Sequence, residues 1–487
     1  MFVGKDLLRE VQSLRDAVAE TGRETFRRWR PAIERPAFSA SALNLAHYLA
    51  LRRRDLRPLQ RVLMRHGLSS LGRLESRVLV TLDAVAGALG APGLVWPPPE
   101  RQFFRGEERL RRNTDALFGP ATLGRDVRIL VTLGLEAAVD ADFVRQLAKC
   151  GADAVRINCA HDDPAVWEAM LANTRAAGEA VGRRLRVLMD IAGPKLRTGE
   201  VYRADDDARL QVGDAFLLLP DAASLQRPDP IGFRAACEPG SVLSRVTEGV
   251  EMAMDDGKLG GIVETVRPDG GVVVRVRRTR LKGVKLKPEK GLNFPGVDLG
   301  LDPLGPKDLE DLDFVARHAD LVGYSFVQSA SDIARLQAEL ARRRPDDWRR
   351  LGVIAKIETL AAVRNLPGII VAAAGRQPFG VMIARGDLAV EIGFERLAEM
   401  QEEILWICEA AHVPVVWATQ VLEEMVKSGL PTRGEMTDAA MAARAECVML
   451  NKGPKVGEAI TALDRLVRRM AEHETKKTAH LRALRSW

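Results

Sequence analysis

The sequence predicts an α/β fold: a (β/α)8 TIM barrel with a small all-β domain inserted after its third strand and a helical region ahead of it. Three observations carry this. From Val127 onward, eight short and almost unbroken apolar runs alternate with helical stretches. One connection between runs exceeds a hundred residues and reads as β structure. Residues 1–124 show the three-and-four apolar spacing of helices.

The N-terminal helical region spans 1–124. "DLLREVQSLRDAVAETGRETFRRW" is amphipathic, and the stretch from Ser41 to Leu89 reads as two or three helices around a Gly-Leu-Ser-Ser turn, with Ser69 or Ser70 as a cap for the helix that follows. "APGLVWPPPE" breaks the pattern as a linker. The eight runs are "VRILVTLG" (127–134), "ADAVRINC" (152–159), "LRVLMDIAG" (185–193), "ADLVGYSFV" (319–327), "LGVIAKIE" (351–358), "FGVMIARG" (379–386), "VPVVWATQ" (413–420) and "AECVMLNK" (445–452). Strands without polar alternation are covered on both faces, as in a parallel sheet beneath helices. Eight such units favour a barrel, with a doubly wound sheet as the rival. A structureless loop of a hundred residues is implausible. "LQVGDAFLLLPD" and a hairpin around Pro268-Asp269-Gly270 make the long connection a β domain. The expected boundaries are 125–198 for the first part of the barrel, 199–290 for the insertion, 291–470 for the second part and 471–487 for a C-terminal tail.

Bulk properties narrow the class. The net charge of +6 is uneven: residues 1–124 hold 21 Lys and Arg against 13 Asp and Glu, leaving 51 against 53 in the rest. The basic run Arg52–Arg54 reads as a solvated helix face, and no aromatic-interleaved basic groove supports nucleic-acid binding. Five dispersed cysteines without a CxxC motif fit a reducing compartment. The first twenty residues lack a signal-peptide core, and no run reaches the ~18 apolar residues of a membrane span. The expectation is a soluble, cytoplasmic protein with no membrane partner.

The chemistry gathers where strands end. Strand two ends in Arg156, Asn158 and His161; strand three in Asp190, then Lys195 and Arg197; strand five in Lys356 and Glu358; strand six in Arg385 and Asp387; strand seven in Thr419 and Gln420. Polar groups on apolar strands are costly unless partnered, and any one alone reads as a structural ion pair. Their convergence on one mouth reads as a site. Glu358 and Asp387 are a carboxylate pair of the kind that holds Mg²⁺ with substrate oxygens and water. Lys356, Arg156 and Arg197 add the positive charge that phosphoryl transfer requires. No Walker A motif is present. Arg385-Gly386-Asp387 therefore reads as a strand end at that mouth, not as an exposed adhesion loop.

These residues carry a resemblance. "AVRINCAH", "LMDIAGPKLRTGE", "KGLNFPG", "AKIE", "MIARGDLAVEI", "WATQVLEEM" and "PTRGEMTD" stand in the order and spacing of the pyruvate kinase family, so the chain resembles that family over about 125–465. The resemblance implies phosphoryl transfer from phosphoenolpyruvate to ADP with Mg²⁺ (or Mn²⁺). It implies Glu358 and Asp387 as metal ligands, Lys356 against the moving phosphoryl group, and Arg156 on its oxygens. Gly386 and Asp387, through their backbone N–H groups, and Thr419 would hold the substrate carboxylate. Thr419 also lies on the proton path to the enolate. Asn158, His161, Arg197 and Lys290 would serve the nucleotide.

The departures matter too. Asn158 and Asp190 of the family's monovalent-cation site are present, but Ala160 and Ile191 replace its hydroxyl donors, and Lys195 stands where potassium-dependent members have Glu. A tethered ammonium replaces K⁺ electrostatically, so K⁺ is not expected to be required. "MLNKGP" (449–454) replaces a Ser-Gly-Glu-Thr run, and Gln328-Ser329 a basic pair. About 35 residues follow that stretch, so the family's usual C-terminal domain and its sugar-phosphate control are not expected. Two other readings remain: a metal-dependent lyase or aldolase acting on a pyruvate or enolpyruvate unit, and a non-catalytic regulatory protein. Expected partners are the small-molecule substrates, with a homo-oligomer allowed. The N-terminal helices are read as a cover for the barrel bottom, a dimer contact or a recruiting surface.

Overall fold

The computed structural model describes residues 2–480. The expected tail therefore falls partly beyond it, with 481–487 outside the described residues. The chain begins with α1 (Phe2–Trp29), α2 (Pro36–Arg52), α3 (Arg57–Arg65), α4 (Val78–Ala88), α5 (Glu100–Phe103) and α6 (Arg105–Phe118). Three barrel strands follow: β1 (Arg128–Thr132), β2 (Ala154–Asn158) and β3 (Arg186–Ile191). The inserted strands are β4 (Arg197–Arg203), β5 (Ala215–Leu219), β6 (Phe233–Glu238), β7 (Glu251–Met254), β8 (Leu259–Val266), β9 (Val272–Thr279) and β10 (Leu292–Asn293). The barrel resumes with β11 (Leu321–Tyr324), β12 (Gly352–Ile357), β13 (Phe379–Ala384), β14 (Val415–Ala418) and β15 (Cys447–Leu450).

The barrel closes in the order β1-β15-β14-β13-β12-β11-β3-β2, with every neighbouring pair parallel. This is the (β/α)8 barrel, and closure eliminates the doubly wound alternative. Burial explains the unbroken apolar runs. One side chain in two points inward to a small core that includes Leu130, Leu188, Ile354, Met382 and Val416, and the others pack under the outer helices. The inward core is closed from below by Leu117 and Phe118 at the end of α6. The insertion folds as one seven-stranded sheet, β10-β7-β8-β9-β5-β6-β4, over its own core of Leu218, Val242, Met254, Val274 and Phe294. The hairpin around Pro268-Asp269-Gly270 joins β8 to β9, its turn closed by Arg267 N–H to Gly271 O at 2.8 Å.

The N-terminal helices cover the bottom of the barrel. Glu34 N–H and Arg35 N–H both donate to Gly375 O, at 2.9 and 2.7 Å, just before β13. Asn44 donates to Glu75 O and Ala410 O, at 2.7 and 2.8 Å, and its Oδ1 accepts from Val78 N–H at 3.0 Å. His412, fully buried, bonds Ser41 Oγ at 2.8 Å and Ser76 O at 2.9 Å. A short hairpin at Glu474–Thr475 and Thr478–Ala479 adds Lys476 against Glu446 and Lys477 against Glu75.

The helix-cap expectation is corrected. Neither Ser69 nor Ser70 caps a helix: α4 starts at Val78 behind Arg77 with no side-chain cap. The intervening chain forms a tight turn in which Ser69 Oγ accepts from Leu71 N–H at 3.3 Å, followed by a 3₁₀ turn at Glu75–Arg77. Among the described residues, no helix is long and apolar enough to cross a membrane.

Candidate active site

The register of β2 against β3 sets Asn158 beside Asp190 and Arg156 beside Leu188, which brings the ends of these strands level. Arg156 Nε then donates to Asp190 Oδ2 at 2.7 Å, and its Nη1 to Thr132 Oγ1 at 3.2 Å. Asp190 is fully buried. Burial alone would raise its carboxyl, but the charges of Arg156 and Lys356 together hold it below its ordinary value.

Lys356, at the end of β12, is the hub. Its Nζ lies 3.1 Å from Glu358 Oε1 and 3.6 Å from Asp190 Oδ2, and donates to Ser325 Oγ at 2.8 Å. Burial works against the ammonium, but Glu358 and Asp190 keep its pKa above the ordinary lysine value, so it stays charged. Glu358 is 2% exposed. Burial pushes its carboxyl up, Lys356 pulls it back, and the Asp387 charge adds to the rise. Its Oε2 accepts from Phe326 N–H at 2.5 Å, and Phe326 takes a left-handed φ of 54° to present that N–H.

Asp387 comes from the next strand. β13 ends at Ala384 and the helix Arg385–Ile392 starts at once, so Gly386 and Asp387 lie in its first turn, where N–H groups lack helical acceptors. Lys195 Nζ donates to Asp387 Oδ1 at 3.1 Å. Gly386 lies against Thr419: a Cβ there would sit 2.9 Å from Thr419 Cγ2. Thr419 and Gln420 are both left-handed, with φ of 70° and 59°. Arg385 braces this turn. Its Nε donates to Ala418 O at 2.9 Å and its Nη2 to Thr419 O at 2.6 Å, while Asp438 Oδ2 accepts from Nη2 at 2.8 Å.

The structure thus brings Arg156, Asp190, Lys356, Glu358, Lys195, Gly386, Asp387 and Thr419 to the C-terminal end of the barrel. It divides the remaining predicted residues. Asn158 and His161 line a cleft of about 290 Å³ with Thr132, Arg156, Asn451 and Lys452. Arg197 and Lys290 lie at the root of the inserted sheet, Arg197 with Nη1 3.5 Å from Glu289 O and Lys290 with Nζ 3.3 Å from Asp255 Oδ1. Lys195 is paired with Asp387, not with Asp190, whose Oδ2 faces both Arg156 and Lys356 and whose buried Oδ1 has no hydrogen-bond partner among the described residues. Sequence reasoning missed Ser325, the N–H of Phe326 and Asp438. Ser325 had a signal: it is the polar residue that breaks the fourth apolar run.

Glu358 and Asp387 are the groups here suited to a metal. Among the described residues no cluster of three or more His, Cys, Asp or Glu could hold one. Two carboxylates at an open mouth, each faced by an ammonium, fit Mg²⁺ or Mn²⁺, whose other ligands are substrate oxygens and water.

Residues 124–458 match the family model described as "Pyruvate kinase, barrel domain". The chain is 33% identical over 357 residues to the pyruvate kinase of Agrobacterium vitis, covering 72% of this chain and 69% of that protein. It is 31% identical over 366 residues to that of Mycobacterium intracellulare, covering 72% of each. With the pyruvate kinase of Thermococcus litoralis it shares 30% identity over 366 residues, 74% of this chain and 72% of that protein.

Proposed function

The chain belongs to the pyruvate kinase family, and from that premise we propose that it transfers a phosphoryl group from phosphoenolpyruvate to ADP, giving pyruvate and ATP. One observation carries the reading: the Lys356 ammonium is buried between Glu358 and Asp190, charged, and within reach of both the Arg156 and the Asp387 sides of the mouth.

Phosphoryl transfer loads negative charge onto the moving group, and a desolvated, prepositioned cation stabilises that charge far better than one in water. Lys356 and Arg156 fill this role. Neither has to be recruited, because Asp190 and Glu358 already hold them in place. The first-turn N–H groups of Gly386 and Asp387 and the hydroxyl of Thr419 take the substrate carboxylate. The close seat of Gly386 on Thr419 leaves no room for a side chain there. When the P–O bond of phosphoenolpyruvate breaks and a β-phosphate oxygen of ADP takes the phosphorus, the enolate left behind accepts a proton at carbon by way of Thr419 and water. Asn158 and His161 in their cleft, with Arg197 and Lys290 at the root of the insertion, serve the nucleotide. Glu358 and Asp387 hold Mg²⁺ or Mn²⁺, which when bound supplies a Lewis acid for the substrate oxygens. We place the protein in the cytoplasm, in keeping with its five free cysteines.

The reaction needs no K⁺. Lys195 brings a fixed positive charge to the mouth at Asp387, and Ala160 and Ile191 offer no hydroxyl to a monovalent ion. Turnover in tetramethylammonium chloride is expected to match turnover in KCl, and a strong K⁺ requirement would refute this. The parent test is direct. Purified protein mixed with phosphoenolpyruvate, ADP and Mg²⁺ is expected to yield pyruvate, and Lys356→Met to abolish the yield. No pyruvate from the native chain sinks the proposal.

A further inference from the structure

We propose that Lys452 is a further binding residue of the nucleotide cleft, its ammonium anchoring the phosphate chain of a nucleoside diphosphate beside His161 and Asn158. The ligand class rests on the proposed function; the placement is geometric. Lys452 belongs to the "MLNKGP" stretch that departs from the family pattern, so the resemblance assigns it no role.

Leu450, the last residue of β15, pairs with Val131 of β1. The chain therefore leaves the barrel at Asn451 and Lys452 next to the end of β1, one strand from the end of β2 that carries Asn158 and His161. All four residues line the cleft of about 290 Å³. The exit is fixed. Gly453 is pressed against the neighbouring helix, where a Cβ would lie 2.5 Å from Val426 Cγ1, and Lys455 N–H donates to Val426 O at 2.9 Å.

The other cations of the cleft are committed. Arg156 is bound to Asp190, and Lys427 Nζ to Glu423 Oε1 at 2.6 Å. The Lys452 side chain makes no hydrogen bond or ion pair among the described residues. Burial, and then the Lys452 charge, push the His161 imidazole below its ordinary value. At neutral pH His161 is therefore an uncharged hydrogen-bonding wall, and Lys452 is the unpaired cation among the residues that line the cleft, beside Arg197, whose charge also reaches His161. The opposing carboxylates do not cancel it: Glu423 is held by Lys427, and Asp162 lies on the exposed rim.

The experiment compares the parent, Lys452→Met and Lys452→Arg. ADP binding is measured by isothermal titration calorimetry without phosphoenolpyruvate, alongside KM for each substrate. A charge-assisted contact to phosphate implies a tenfold or larger loss of ADP affinity in Lys452→Met, about the same rise in KM for ADP, and a KM for phosphoenolpyruvate within twofold of the parent. Lys452→Arg is expected to keep most of the affinity. Lys452 is exposed, so an unchanged Tm is expected and excludes misfolding as the cause. An ADP affinity within twofold of the parent in Lys452→Met overturns the inference, as does an equal loss for both substrates. If the parent binds ADP but makes no pyruvate, the proposed reaction fails and the binding comparison alone still decides Lys452. A parent that binds no ADP overturns the assignment outright.

Discussion

The two ends of the barrel use the same ingredients differently. At the mouth, Arg156, Asp190, Lys356 and Glu358 form a buried ionic cluster bordered by clefts of about 290 and 470 Å³. At the bottom, Arg125 binds Asp153 at 2.6 Å and Asp464 at 2.8 Å, and Lys476 and Lys477 reach Glu446 and Glu75. Arg125, Asp153 and Glu75 are as buried as the groups above, while the Asp464, Lys476 and Lys477 side chains keep 20%, 17% and 23% exposure, and helices and a hairpin pack against them. A buried ion pair is thus no mark of a site in itself. Removing one partner from a sealed pair leaves an uncompensated charge and destabilises the fold. The same change beside a cleft removes a group that a substrate would meet.

The sharpest break of this comparison is a matched pair of lysines. Lys356→Met is expected to cut turnover about a thousandfold or more, on the order of 4 kcal/mol of transition-state stabilisation. Lys476→Met is expected to lower Tm clearly while leaving kcat/KM within about threefold. Steady-state kinetics and thermal unfolding on both variants check this, and a swapped pattern would refute the contrast. Next in size is Arg385→Lys. A lysine cannot span Ala418 O, Thr419 O and Asp438 at once, so the left-handed turn at Thr419 loosens. Turnover is expected to fall about tenfold to a hundredfold, with far-UV circular dichroism unchanged. Retention of full kcat would show that Arg385 only packs.

The smallest effect concerns the bottom alone. Burial pushes the Glu409 carboxyl up to about 7, against the opposing charge of Lys476. The folded chain keeps a proton there that the unfolded chain releases above about pH 4.5. Stability from this group is therefore full below pH 4.5 and is lost as pH rises through 7. Glu409→Gln is expected to match the parent in Tm at pH 5 and to exceed it by a few degrees at pH 8. Equal Tm at both pH values would contradict this.

Much of the fold was legible because its signals are local. Each barrel strand is buried on both faces, so each is an unbroken apolar run, and the mouth residues are the polar letters that end those runs. The inserted domain announced itself by length and by its turn at Pro268-Asp269-Gly270. The cap expected at Ser69 or Ser70 failed because the next helix starts several residues later, after a turn and a 3₁₀ segment that no periodicity marks.

The sequence by itself determined which residues end up at one end of a barrel, because alternation and run length act over a few residues. Only the tertiary structure decided who faces whom. Asp438 reaches Arg385 across 53 positions, and Lys195 reaches Asp387 across 192. Whether the N-terminal helices cover the barrel, join subunits or recruit a partner was equally open in the sequence; the bonds to Gly375, Ala410 and His412 seat them on the bottom. Such pairings depend on how the closed barrel staggers its strands and on where the insertion folds back, and those are properties of the whole chain.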